Sequence, residues 1–271
     1  MPKTNKFRIG ATSYILEDDL TANADYLSSH VEEMELVLFD RDSGFSNLPD
    51  EKMQDRLSRV GEKTGLVYTV HLPLDLSLHD DGKSVALAEK VLKTTKSLPV
   101  FGVVAHIEGW YWQEFTTVER NPALYADWVT EGQQLIRWLK DNVPEDWEVC
   151  IENTEGFPAD EVQFLINGLQ VSRCIDVGHL LKQGHPDPLG YVQANLAQCR
   201  IMHLHGLDAS GKDHHSVALL SEVFLDRLLT ILVENEYDGV LTLEVFGMDD
   251  FETSMQAIRN SFTRIGVGWD H

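Results

Sequence analysis

Short apolar runs rich in β-branched residues recur along the whole chain. Each run is too short for an ordinary helix and is almost continuously apolar, which is typical of a parallel strand covered on both faces. We therefore predict eight strands, which are Arg8–Ile15, Met34–Phe39, Leu66–Leu72, Val103–Ile107, Glu148–Ile151, Arg173–Val177, Arg200–Leu204 and Val240–Val245.

Stretches with helical periodicity separate these runs. Asn121 is a typical N-cap and is followed by Pro122 at the first helical position, so a long amphipathic helix is predicted to begin there and to continue through Leu139. The other predicted helices are Asp19–Val31, one that begins at Asp50, Ser221–Val233 and Phe251–Phe262. Strand and helix alternate without a linker or a repeat, so we expect one domain over residues 1–271.

The number and order of these elements select a fold. Eight strand–helix units in about 250 residues are the usual size of a (β/α)8 TIM barrel. The alternative is a doubly wound open sheet, but the G-x-G-x-x-G sequence typical of many such sheets does not follow the first strand. We therefore predict a single TIM barrel of the α/β class, with the functional site at the C-terminal ends of its strands.

Residues able to bind metal stand at or near the C-terminal ends of six predicted strands. They are His71, His106, Glu152, Asp176, His203 and Glu244. Three more lie in the following loops, namely His179 in D-V-G-H, and Asp213 and His215 in D-x-H. Buried carboxylates are so costly that such a cluster needs a cation, and His with Asp or Glu and no sulfur suits Zn²⁺, Mn²⁺ or Fe²⁺. The sequence thus predicts a divalent-metal centre at the barrel mouth.

Other polar residues near these positions have two interpretations. Glu35 lies inside an apolar strand, where it either projects into the barrel as a hydrogen-bonded carboxylate or takes part in the site. His205 and His214 neighbour better-placed histidines, and we expect them to support the metal ligands or to contact the substrate.

Aromatic residues follow two of the strands. Trp110, Tyr111 and Trp112 come shortly after His106, and Phe45 lies in the loop after the second strand. Core packing would explain one or two of the three consecutive rings, but all three cannot face one core. We therefore predict that rings from this group line a substrate site at the rim, where a ring can stack on a flat ligand.

The net charge and the cysteine content indicate which binding partners and which cellular compartment to expect. The chain has 44 acidic and 22 basic residues, a formal charge of −22 that opposes binding to a phosphate backbone. It has no 18-residue apolar run and no secretion signal, so a cytoplasmic protein without a membrane span is expected. Cys150, Cys174 and Cys199 lack C-x-x-C spacing and are predicted to be free buried thiols.

The ligand pattern resembles that of the xylose-isomerase-like TIM barrels, which include sugar isomerases, sugar epimerases and endonucleases of the endonuclease IV type. The similarity extends over all eight units. It implies one to three divalent ions per chain, with zinc foremost. The implied ligands are His71, His106 and Glu152 for a first ion, Glu152, Asp176, His203 and Glu244 for a second, and His179, Asp213 and His215 for a third.

Within this superfamily, the segments R-I-G-A-T-S-Y-I, E-L-V-L-F and T-V-H-L-P-L-D-L resemble the cobamide-remodelling phosphodiesterases. The resemblance implies hydrolysis of the nucleotide loop of a corrinoid. Glu152 and Glu244 are the predicted catalytic carboxylates, and they are also the pair available for proton transfer in an isomerase. The predicted substrate contacts are Trp110, Tyr111, Trp112, Phe45 and His205. A sugar isomerase or epimerase, an abasic-site endonuclease and a metal-containing binding protein are the alternatives.

Overall fold

Eight parallel strands close into a barrel in which each strand pairs with the next along the chain and the last pairs with the first. The computed structural model describes residues 3–41, 43–107, 122–155 and 158–268. The barrel strands are β1 (Arg8–Thr12), β2 (Glu33–Val37), β3 (Val67–His71), β4 (Val100–Ala105), β5 (Glu148–Glu152), β6 (Ser172–Asp176), β7 (Cys199–Leu204) and β8 (Val240–Leu243). The predicted TIM barrel is confirmed.

Nine α-helices surround the barrel in the described part of the chain. They are α1 (Leu20–Leu27), α2 (Glu51–Thr64), α3 (Lys83–Thr95), α4 (Pro122–Asn142), α5 (Val162–Ile166), α6 (Val177–Lys182), α7 (Pro188–Asn195), α8 (Glu222–Glu234) and α9 (Met248–Ile265). None of the helices in these residues is both long enough and apolar enough to cross a bilayer.

Side-chain caps mark the helices that the sequence reveals most clearly. The side chains of Asp19, Asp50 and Ser221 each accept a hydrogen bond from a backbone N–H in the first turn of α1, α2 and α8. By contrast, α3 follows Gly82, whose φ is 78° and which offers no side-chain cap. Asp80 replaces the cap from two positions earlier, since its Oδ2 accepts a hydrogen bond from the backbone N–H of Ser84 at 2.6 Å. Asn121, the predicted cap of α4, lies outside the described residues.

Two apolar clusters form the core. The larger one packs the strands against the helices, and a separate small cluster contains Val104, Cys150, Cys174 and Ile201. These four residues stand two positions before strand-end polar residues, so they share the inward face of the barrel with them. All three cysteines are free and buried, as predicted. The small cluster thus forms an apolar layer beneath the mouth.

A polar group lies at the same depth on the other side of the barrel interior. Glu33 is fully buried and accepts hydrogen bonds from the hydroxyls of Thr69 (2.6 Å) and Thr242 (2.9 Å). Burial, and next the nearby charge of Glu35, raise the pKa of Glu33 to about 8. Gly10 makes room for this side chain, because a Cβ atom at position 10 would stand 1.7 Å from Glu33 Oε2.

We predict that Gly10→Ala lowers the free energy of unfolding by about 1–3 kcal/mol, the usual cost of overpacking a filled interior. The added methyl group must displace Glu33 and break its bonds to the two threonines. Denaturant unfolding of the metal-free protein measures the effect. Gly268→Ala is the control, since its Cβ would meet nothing within 4 Å. Equal stability of the two variants would contradict the prediction.

Candidate metal centre

The barrel brings the six strand-end residues to one mouth. His71, Glu152 and Asp176 are the last residues of β3, β5 and β6. His106 and Glu244 directly follow β4 and β8, and His203 is the penultimate residue of β7. Their side chains point inward because alternate residues of a strand face the same side.

His203 Nδ1 is the centre of a group of three carboxylates. It lies 3.4 Å from Glu244 Oε2, 3.5 Å from Glu152 Oε2 and 3.8 Å from Asp176 Oδ2. Donor atoms bound to a zinc ion at about 2.0–2.2 Å stand roughly 3.0–3.6 Å apart, so this spacing is close to that of one coordination sphere. We call Glu152, Asp176, His203 and Glu244 the second donor set.

The buried polar atoms of the mouth lack partners, which supports a cation. Among the described residues, the buried side-chain atoms without a hydrogen bond are Glu35 Oε1, Glu152 Oε1, Asp176 Oδ2, His203 Nδ1, His205 Nε2, His215 Nε2 and Glu244 Oε2. Buried polar groups are normally paired, since each unpaired one costs free energy. In the second donor set, Asp176 Oδ2, His203 Nδ1 and Glu244 Oε2 all lack a hydrogen bond and face the other members of the set. The set therefore fits a divalent ion.

His71 and His106 present their Nε2 atoms to Glu152. Nε2 of His71 lies 3.4 Å and Nε2 of His106 lies 3.0 Å from Glu152 Oε2. Their Nδ1 atoms are held by the Leu72 carbonyl (2.9 Å) and by Asp75 Oδ1 (3.0 Å), which leaves Nε2 for a ligand. We call His71, His106 and Glu152 the first donor set. Glu152 is common to both sets.

Carboxylates orient two of these histidines. Glu35 Oε2 lies 2.9 Å from His203 Nε2, and both side chains are fully buried, so Nδ1 of His203 is directed at the second donor set. Glu35 thus projects into the barrel as a hydrogen-bonded carboxylate, which was the first of the two interpretations of its position in the sequence. Asp75 has the same relation to His106 and was not recognised in the sequence. Its only signal there is an acidic residue within the apolar L-P-L-D-L segment after β3.

Local structure explains the D-V-G-H motif. Asp176 is the N-cap of α6, and its Oδ1 accepts a hydrogen bond from the backbone N–H of His179 at 2.6 Å, which leaves Oδ2 for the mouth. Position 178 needs a glycine because the His205 ring lies against its backbone, and a Cβ atom there would be 2.0 Å from that ring. His205 Nε2 lies 3.3 Å from Asp176 Oδ1. His205 therefore packs against Asp176 of the second donor set, and a substrate contact by it stays a prediction.

The expected third set comes together only in part. His179 and Asp213 lie with Glu155 in a group whose donor atoms are within 4.8 Å of one another. His215 instead approaches Asp250 (3.3 Å) and Asp208 (3.6 Å).

The loop backbone explains this difference. His215 pairs with Gly206 in an antiparallel bridge, whereas the preceding His214 has a φ of 57° and its ring lies near those of His179 and His205. The left-handed backbone at His214 and the bridge at His215 direct the two side chains to different sides. His214 rather than His215 therefore faces the mouth, a distinction that D-x-H spacing alone cannot make.

Electrostatics holds protons on the imidazoles while no metal is bound. Burial by itself lowers the pKa of His106, but the carboxylates of Glu152 and Asp75 outweigh this effect and raise the pKa to about 10. In the same way, Asp176 and Glu152 raise the pKa of His179 to about 10 against burial. The pKa of Glu152 falls well below its usual value, because nearby imidazoles outweigh its burial.

A wall of aromatic rings stands beside the centre. Phe45, which is 62% exposed, stacks on Phe39 with 5.2 Å between ring centroids, and Phe39 lies 6.4 Å from Tyr14. Tyr14 contacts Phe246 at 6.1 Å, and Phe246 contacts the His214 ring at 5.4 Å. We call Tyr14, Phe39, Phe45 and Phe246 the aromatic wall. The predicted contacts Trp110, Tyr111 and Trp112 lie outside the described residues.

We predict that metal binding at pH 7.5 releases a proton from His106. With a pKa of about 10 the ring is protonated in the metal-free protein, and Nε2 must be neutral to ligate. The release should persist from pH 7 to 9 and disappear as the pH rises through 10. Calorimetric zinc titrations in two buffers of different ionisation enthalpy count the protons.

His106→Gln is the control and should release fewer protons than the parent. Heats that are the same in both buffers would contradict the raised pKa of His106.

Solved structures of several proteins resemble this chain over nearly its whole length. A D-tagatose 3-epimerase-like protein has 17% identity and a TM-score of 0.73, with 96% of this chain and 98% of that chain covered. Endonuclease IV from Thermus thermophilus has 18% identity and a TM-score of 0.68, with 95% and 99% covered. The IolI protein, solved with a zinc atom, has 14% identity and a TM-score of 0.66, with 96% and 98% covered. At such identities the likeness shows the fold alone.

Comparisons at the level of sequence give more specific information than the structural likeness. A search among curated proteins gives no match. The profile of the family described as "Xylose isomerase-like TIM barrel" matches residues 29–263, which is most of the chain. Together with the closed eight-stranded barrel, this match shows that the chain belongs to the xylose isomerase-like TIM barrel family.

Proposed function

We propose that this protein is a metal-dependent phosphodiesterase that acts on a small molecule with a large flat portion, and specifically on the nucleotide loop of a corrinoid. The observation that carries the proposal is the sharing of Glu152 between two donor sets. Its Oε2 lies within 3.5 Å of imidazole nitrogens from His71, His106 and His203. One carboxylate at the junction of two sets is the arrangement that suits two neighbouring ions.

Two such ions favour phosphodiester hydrolysis. When bound, they lower the pKa of a water molecule towards neutrality and stabilise negative charge on the attacking and leaving oxygens. The zinc atom of the structurally similar IolI protein supports zinc as the metal, with manganese and iron as the other candidates.

The chain's own residues prepare this site. Glu152 joins the two sets, while Glu35 and Asp75 hold His203 and His106 in the orientation that exposes the ligating nitrogen. Glu244 is the most accessible carboxylate of the second donor set, with a side chain that is 9% exposed, and it completes the catalytic pair with Glu152.

The aromatic wall and the net charge support a corrinoid over a nucleic acid. The wall contacts His214, which lies near the metal-ligating residues, so a flat ring system placed on it would bring an attached phosphodiester to the centre. A charge of −22 opposes a long polyanion but not a single phosphodiester. Duplex DNA with an abasic site remains the substrate to compare, since endonuclease IV shares the fold.

A sugar epimerase or isomerase is the second candidate. The second donor set alone provides four ligands for one ion, and two of its carboxylates, Glu152 and Glu244, lie 3.5 and 3.4 Å from His203 Nδ1. Such a pair is able to move a proton between two carbons of a ketose. The epimerase-like structure with a TM-score of 0.73 is consistent with this candidate. In an epimerase or isomerase of this kind, the first donor set would take no part in catalysis.

We predict that the zinc- or manganese-loaded protein cleaves a complete cobamide at its phosphodiester and leaves abasic DNA and a panel of ketoses unchanged. Chromatography of the three parallel incubations identifies the products. Because His106 depends on Asp75, Asp75→Asn should lower activity about 10–100-fold. Asp238→Asn is the matched control, since Asp238 pairs with Arg200 at the opposite end of the barrel. Ketose interconversion without cobamide cleavage would establish the epimerase instead.

We further predict that the aromatic wall binds the flat part of the substrate. Phe45→Ala and Phe246→Ala should each weaken corrinoid binding by about 1–3 kcal/mol, the scale for deleting a stacking ring, and leave the metal content unchanged. Trp110→Ala and Trp112→Ala are expected to act in the same way. Phe101→Ala removes a ring at the other end of the barrel and is the control. Unaltered corrinoid affinity in both phenylalanine variants would exclude the wall as a binding surface.

A further inference from the structure

Lys182 places an ammonium group at the edge of the candidate centre. It is the last residue of α6, and its Nζ lies 2.6 Å from Glu155 Oε1 and 2.7 Å from Asp213 Oδ2. His179 lies one turn earlier on α6, with Nε2 3.9 Å from Glu155 Oε1. The ammonium therefore bonds two carboxylates that, with His179, form a group of the metal-binding kind.

A third divalent ion does not fit this group as it stands. Both carboxylates are already bonded by a cation that is part of the chain, and a divalent ion would have to displace it against like-charge repulsion. The ligand expected to complete the set, His215, lies 3.6 Å from Asp208 and 3.3 Å from Asp250 instead. These two features disfavour a third ion at the group formed by Glu155, His179 and Asp213.

We propose that the Lys182 ammonium is a built-in substitute for a third metal ion, so that this centre binds two divalent ions and a lysine completes it. The inference uses the two donor sets of the proposed function but not the identity of the substrate. It holds for hydrolysis and for isomerisation alike. Because Lys182 is covalently part of α6, a chelator that removes the two ions leaves this positive charge in place.

The charge and geometry of the group explain why a lysine is sufficient. Lys182 Nζ donates a hydrogen bond to an oxygen of each carboxylate, at 2.6 Å to Glu155 and 2.7 Å to Asp213, so one cation serves both. The Asp213 side chain is only 11% exposed, so an unpaired carboxylate there would be costly. Removing the lysine without replacing its charge should leave Glu155, His179 and Asp213 free to bind another cation.

Counting metal ions tests the proposal. Metal-free full-length protein is saturated with Zn²⁺, passed through a desalting column and analysed by elemental mass spectrometry. We expect two ions per chain in the parent and in Lys182→Arg, which keeps the cation, and three in Lys182→Met. The double variant Lys182→Met with Glu155→Gln should return to two, because it lacks one of the three donors.

Lys140→Met is the matched control, because Lys140 bonds Gln170 away from the mouth and its loss should leave the count at two. Lys182→Gln replaces Lys182→Met if circular dichroism shows that the methionine variant is unfolded. Three ions in the parent, or no added ion in folded Lys182→Met or Lys182→Gln, would overturn the proposal. The count uses no substrate, so a protein that fails to cleave cobamides but gains an ion in these variants refutes only the proposed function.

Discussion

The burial of Glu152 among imidazoles is the interaction on which the mouth of this barrel depends. A carboxylate that is almost wholly removed from water is stable only beside positive charge, and His71, His106 and His203 surround it. In the metal-free protein, protons on the imidazoles supply that charge, as the raised pKa of His106 shows. A divalent ion supplies it when the protons leave. The same group of residues therefore binds protons or metal, and the rest of the barrel holds it in position.

The strands of the barrel and the convergence of its polar residues could be predicted from the sequence. Parallel strands buried on both faces are nearly continuous apolar runs, so a single charged residue at the end of such a run, such as Asp176 or Glu244, stands out. The closed parallel sheet then carries all six of these strand ends to one place. That step needs only the topology and not the details of packing.

Loops and helix ends were less predictable, because their side-chain directions depend on one or two backbone angles. The sequence could not show that His214 rather than His215 faces the mouth, since the choice follows from a bridge between His215 and Gly206. The contacts of Lys182 could not be predicted from the sequence either, because its partners Glu155 and Asp213 come from two different loops. The function also depends on loop residues for a related reason. The same fold occurs in an epimerase-like protein and in an endonuclease, so charge and rim residues must distinguish them.

The hydrogen bond between Glu35 and His203 joins residues that are 168 positions apart in the chain. The first donor set draws on both halves of the sequence, whereas the second donor set lies in the second half and depends on the first half only through Glu35. Glu35 on β2 reaches His203 on β7 across the barrel interior, so this bond belongs to the ring that the pairing of β8 with β1 closes. A metal ion that binds only the closed barrel stabilises that state by mass action. Through Glu35, the orientation of His203 and the metal affinity of the second donor set are thus tied to closure of the ring.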